Sequence, residues 1–139
     1  MRTLALSLSL AALLFPVAGL AQSNGGGYSM QECDAAMVEI NADLPMELDT
    51  ITTWTKTSCK DTGGNTVQLV YENVVKDGNP ITQENLDTVL PSILMSWCFG
   101  PTLAPLMQMV DTINYQYHFE NGQKIGELTF SFAECIAEQ

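Results

Sequence analysis

Four cysteines, one histidine and sixteen carboxylates are the groups in this chain that could do chemistry. His118 is the only imidazole. A nucleophilic triad needs such a base beside a hydroxyl or thiol, held by a third group. Nothing near His118 in sequence supplies a nucleophile. Cys33, Cys59, Cys98 and Cys135 contain no C-x-x-C pair and lack zinc-ligand spacing, so neither a thioredoxin-like centre nor a zinc site is supported. Carboxylate pairs could serve a hydrolase, but sixteen acids spread along one chain meet by chance. There is no Gly-rich phosphate loop and no H-E-x-x-H motif. Asp61-Thr62-Gly63-Gly64-Asn65 is loosely like a calcium loop but lacks the acidic ligand series, and it reads as a turn. The residues therefore predict no catalytic group, no metal and no cofactor.

Those groups must be placed in a cell compartment and in a fold. Arg2 followed by the apolar run Leu4 to Phe15, then Pro16 and the small residues Gly19-Leu20-Ala21, predicts a signal peptide over residues 1–21. The run is shorter than the roughly 20 residues a membrane span needs. Gln22, not Cys, stands directly after Ala21, so no lipid anchor and no stable membrane attachment are expected after cleavage. In a secreted chain an even number of cysteines predicts two disulfides, with three connectivities open. Removing Arg2 leaves Lys56, Lys60, Lys76 and Lys124 against sixteen acids, a mature net charge of −12. Phosphate neutralisation needs Lys and Arg, which excludes nucleic acid as a partner. Residues 22–28, with Gly25-Gly26-Gly27, read as a flexible leader, and residues 29–139 as a single α+β domain.

The clearest element is the stretch Asp111–Cys135. Apolar and polar residues alternate on both sides of Asn121-Gly122, a pair suited to a two-residue type I′ turn. That turn sets Tyr117 opposite Gly126, Tyr115 opposite Leu128 and Ile113 opposite Phe130. One face then carries Ile113, Tyr115, Tyr117, Leu128, Phe130 and Phe132, and the other carries Asn114, Gln116, His118, Glu127, Thr129 and Ser131. The hairpin cannot bury its apolar face alone. Upstream, Ser29 and Glu32 form a capping box ahead of the stripe Cys33, Met37, Ile40 and Leu44. Leu48 to Cys59 and Thr66 to Val75 read as strands. Thr82 caps a second helix with Leu86, Val89, Leu90, Ile93, Leu94 and Trp97 at helical spacing, which Pro91 should kink or restart. Gly100-Pro101 stops it, and a short third helix follows from Thr102 to Met109. Met95 is expected in the core. The order predicts two α-β-β units forming a four-stranded antiparallel sheet with helices on one face.

Val67-Gln68-Leu69-Val70-Tyr71-Glu72-Asn73, Cys98 followed by Pro101, Ile113-Asn114-Tyr115-Gln116-Tyr117, Asn121-Gly122 and a closing Cys135, all after Leu44-Pro45, form a layout. It resembles small exported bacterial proteins of unassigned role. It is also similar to the α/β type of pilotin, the periplasmic lipoprotein that escorts the type II secretion secretin. Pilotins of that kind carry a lipidated cysteine straight after the signal peptide, where this chain has Gln22. The resemblance implies the fold and a Cys98–Cys135 disulfide, which leaves Cys33 to Cys59.

These readings predict a non-catalytic periplasmic or secreted module that binds another protein, as a pilotin-like assembly factor, an inhibitor or an immunity-type protein. The alternatives are a carrier of a small apolar ligand and a carboxylate-dependent hydrolase. No charge occurs between Asp87 and Asp111, and Gly100, Pro101 and Pro105 interrupt that interval. Phe99, Leu103, Leu106, Met107 and Met109 are accordingly the expected partner-binding residues.

Overall fold

Residues 27–137 are described in a computed structural model of the chain. The expected signal peptide and all but the last two leader residues lie outside them. Tyr28, at the end of that leader, donates its N–H to Met109 O at 2.7 Å. The Ser29 capping box forms: Glu32 N–H donates to Ser29 Oγ (3.1 Å) and Ser29 N–H donates to Glu32 Oε1 (3.3 Å). Helix α1 runs Met30–Ile40 from that cap, with Cys33 and Met37 buried. After a 3-10 turn, Asn41–Asp43, come β1 (Met46–Glu47), β2 (Thr52–Gly63) and β3 (Thr66–Val75). Helix α2 (Gln83–Phe99) and the short α3 (Leu103–Met107) lead to β4 (Thr112–Phe119), β5 (Lys124–Phe130) and α4 (Phe132–Ala137).

The strands form one five-stranded sheet in the order β1-β2-β3-β4-β5. It is mixed, because β3 and β4 run parallel while the other neighbours are antiparallel. This corrects the expected four-stranded antiparallel sheet on two points. The connection from β3 to β4 carries two helices, and a helical crossover returns the chain to the same end of the sheet, which makes the pair parallel. Strand β1 is two residues long, too short to leave an alternating pattern. β2 begins at Thr52, not Leu48, and extends to Gly63, with Gly64 (φ 59°) and Asn65 (φ 66°) supplying the two positive dihedrals of a tight hairpin turn.

The β4–β5 register is the expected one through Ile113↔Phe130, Tyr115↔Leu128 and Tyr117↔Gly126. The tip differs. Only Gly122 there has a positive φ (93°), so the turn is not type I′. Phe119 N–H donates to Gln123 O and Gly122 N–H to Phe119 O, closing a three-residue loop. A bulge between Tyr117 and His118 absorbs the extra residue. Phe132 leaves the strand face altogether: it opens α4 and is exposed.

One buried cluster joins the four helices of the described residues to the sheet. It includes Cys33 and Met37 of α1, Leu94 and Trp97 of α2, Met107 of α3, Cys135 of α4, and Val67, Leu69, Tyr71, Ile113 and Phe130 of the strands. Each fully buried large apolar side chain contributes roughly 1.5–3 kcal/mol. Both disulfides close as expected, Cys33–Cys59 tying α1 to β2 and Cys98–Cys135 tying the end of α2 to α4. Helix α2 passes through Pro91 unbroken. Val89 and Met95, expected in the core, are 45% and 56% exposed. A helix resting on a sheet buries one side only. At about 100° per residue, Met95 lies some 200° round from Trp97, on the solvent side.

A candidate contact surface on the helical layer

The uncharged interval after Asp87 divides into a buried and an exposed part. Trp97 is fully buried, and its Nε1 donates to Tyr115 Oη at 2.9 Å. Gly100 N–H donates to Ser96 O at 2.9 Å, and a Cβ at Gly100 would collide with that same carbonyl, so the stop of α2 requires glycine. The chain then folds back inward. Met107, 1% exposed, sits in the core with its Sδ 3.5 Å from Cys135 Sγ. This corrects its expected place in a contact patch: the disulfide that holds α4 against α2 also forms the wall on which Met107 packs. Leu103, Leu106 and Met109 are half-buried, the first two against the core. Of the five expected contact residues, Phe99 alone is exposed, at 54%.

Phe99 does not stand alone on its helix face. Thr88, Pro91, Ser92, Met95 and Phe99 recur every three or four residues on the solvent side of α2, without a charge among them. Val89 borders this strip, and Phe132 is exposed on α4, which Cys98–Cys135 joins to the end of α2. The signal for Met95 was present in the sequence. Its spacing from Phe99 and Ser92 matches the solvent side as well as its apolarity matches the core.

Charge is sorted between the two layers. Among the described residues every charged residue on the helices is acidic: Glu32, Asp34 and Glu39 on α1, Glu84 and Asp87 on α2, and Glu134 on α4. Lys56, Lys60 and Lys124 are on strands, and Lys76 follows β3. Register places Lys56 beside Glu72, Lys60 beside Gln68 and Lys124 beside His118, the sheet face opposite the core row of Tyr71 and Tyr115. On that polar face Asn114 Nδ2 donates to Glu127 Oε2 (3.0 Å) and Thr129 Oγ1 (2.8 Å). The Asn114 bond holds the Glu127 carboxyl below its ordinary range. His118 is half-buried on that face. Among the described residues no three of His, Cys, Asp and Glu converge to hold a metal ion.

Between α1, which packs on β2, and α2, which packs on β5, lies a row of rings. Trp54 stacks on Tyr71 (5.3 Å between centroids), and Tyr71 on Tyr115 (5.0 Å), with Tyr117 next in line (6.4 Å). Burial pushes the Tyr71 and Tyr115 hydroxyls above their ordinary range and that of Tyr117 up to about 12. Among the described residues no helix is long and apolar enough to cross a membrane.

No protein-family model and no curated protein matches this sequence. Solved structures do. A Pseudomonas aeruginosa protein described as secreted superposes with a TM-score of 0.61 at 13% identity, over 76% of this chain and 91% of that one. The type 2 secretion system pilotin EpsS of Vibrio vulnificus gives 0.52 at 19% identity, over 76% and 90%. The type II secretion system pilotin AspS of Vibrio cholerae gives 0.51 at 19% identity, over 76% and 91%. The resemblance to pilotins read from the sequence is thus a likeness of fold.

Proposed function

We propose that this chain is a non-catalytic exported module that binds another exported protein through the solvent side of α2 and the adjoining start of α4. The observation that carries this reading is the uncharged strip holding Met95 and Phe99 on a helical layer whose charges, among the described residues, are all acidic. Apolar side chains exposed together and rimmed by polar residues mark a binding surface. An acidic rim repels acidic partners and favours a segment that is apolar on one side and neutral or basic on the other. The pilotin-like fold supports an assembly role over an inhibitory or immunity role. In this reading Phe99 is the centre of contact, Leu103 and Leu106 anchor α3 to the core, and Met109 and Met107 act only by holding α3 in place.

The test is capture from the native extracytoplasmic fraction with the wild-type chain, Phe99→Asp and Met95→Asp. Loss of one partner by both variants, at unchanged melting temperature, is the expected result. Retention of that partner by both would remove this surface from the account.

A further inference from the structure

A recess of about 420 Å³ opens between the end of α3, the turn before β4 and the start of α4. Buried Met107 and Val110 close its base, and Phe132, 39% exposed, stands at its side. Among the described residues that line it, Asp111 alone is charged, and its side chain is exposed. Strand β3 holds Asp111 by two bonds. Val67 N–H donates to Asp111 Oδ2 at 2.6 Å, and Asp111 N–H donates to Val67 O at 2.9 Å. The carboxylate is thus fixed through one oxygen at the mouth of the recess. No lysine of the chain neutralises it: the one ion pair among the described residues joins Lys124 to Glu127 at 3.4 Å.

The charges around the recess act in the same sense. Glu134 Oε2 accepts from Ser131 N–H at 2.7 Å, and Ser131 is part of the lining, so a second carboxylate stands close by. Of the lysines, Lys60 comes closest in register. It lies beside Gln68, which lies beside Thr112, the residue after Asp111. That places Lys60 two strands away, about 10 Å at the usual strand spacing, and on the polar face of the sheet.

An apolar base, an exposed ring and one fixed carboxylate suit a side chain with an apolar stem and a cationic head. Arginine meets this better than lysine, because its planar guanidinium stacks on a ring and donates two parallel bonds to a carboxylate. The chain's one arginine, Arg2, lies in the expected signal peptide. The arginine must therefore come from another protein.

We propose, resting on the protein-binding role given above, that this recess takes an arginine side chain of the bound partner. Its guanidinium sits between Phe132 and Asp111, and its stem lies over Val110. The partner segment is thereby given a chemical mark: an arginine in the part that meets the start of α4.

The probe is N-acetyl-arginine N-methylamide, which presents the residue as a chain does. It is titrated into the full chain after signal cleavage, and amide NMR spectra are followed. Saturable shifts at Val110, Asp111 and Phe132 in the millimolar range are expected. The citrulline counterpart, of the same shape but uncharged, should leave those signals unmoved. Asp111→Asn keeps an acceptor for Val67 N–H and removes the charge. It is expected to weaken the arginine probe about fivefold, the upper end for an exposed ion pair. Phe132→Ala should weaken it about threefold by removing the ring. Equal binding of the arginine and citrulline probes would overturn the proposal, as would wild-type affinity in Asp111→Asn or the absence of any saturable shift. The citrulline comparison uses the wild-type chain, so it decides the matter even if Asp111→Asn does not fold. A failure here removes the recess alone, because capture through Met95 and Phe99 is measured separately.

Discussion

Trp97 Nε1 donates to Tyr115 Oη at 2.9 Å, joining the fully buried end of α2 to the middle of β4. The bond satisfies the indole donor where water does not reach, and the indole also meets Tyr71 edge-on at 5.7 Å. Trp97→Phe removes the donor and part of the ring, leaving both a cavity and an orphaned hydroxyl. A loss of about 3 kcal/mol is expected from the two effects together. Tyr115→Phe should cost less, about 1–2 kcal/mol, by stranding only the indole N–H. Urea unfolding of the two variants and of the double variant measures this. A double variant costing much less than the sum of the two singles is the expected sign of one shared bond.

The disulfides should contribute comparably. With sequence separations of 26 and 37 residues, chain-entropy reasoning gives roughly 3–4 kcal/mol for each. Cys33→Ser/Cys59→Ser and Cys98→Ser/Cys135→Ser are therefore expected to show similar drops in denaturant midpoint. Their structural consequences should differ. Loss of Cys98–Cys135 frees α4 and the wall behind Met107, so amide exchange should quicken first in α3 and α4.

The tyrosines set an alkaline limit. Burial raises the hydroxyl pKa of Tyr71, Tyr115 and Tyr117, that of Tyr117 to about 12. In the unfolded chain these groups ionise near pH 10. The folded state thus binds more protons above that pH, and stability falls as pH rises from about 10 toward 12. Tyrosinate absorbance near 295 nm and far-UV circular dichroism followed together should change in one transition. Tyrosinate appearing well before any loss of fold would contradict the burial argument.

Exposure separates two methionines that the sequence could not. Met95→Asp is expected to alter stability by about 0.5 kcal/mol or less, as surface substitutions do. Met107→Asp places a carboxylate in the core with no counter-charge and is expected to prevent folding. Melting temperatures of the two variants check this directly.

What was legible in the sequence was local or strictly periodic. The Ser29–Glu32 box and the β4–β5 register could be read because their partners are close in sequence and a slip by one residue would turn Ile113 and Phe130 to solvent. The parallel β3–β4 pair could not be read, since its direction depends on how the intervening helices cross the sheet. The hairpin tip departs from the Asn-Gly expectation because a bulge lengthens the loop. The exposure of Met95 and Val89 was not legible, because an apolar residue near a buried stripe looks the same from either side of it. The bond from Val67 N–H to Asp111 left no sequence signal, its partners lying 44 residues apart.

The contact surface is tested most directly by placing a photo-crosslinking amino acid at Phe99 on α2 and, separately, at Gln116 on the polar face of β4, and irradiating each protein in its native compartment. The account predicts a discrete covalent adduct with one other exported protein from position 99 and none from position 116. An adduct from position 116 with none from position 99 would contradict it and move the working surface to the opposite side of the sheet.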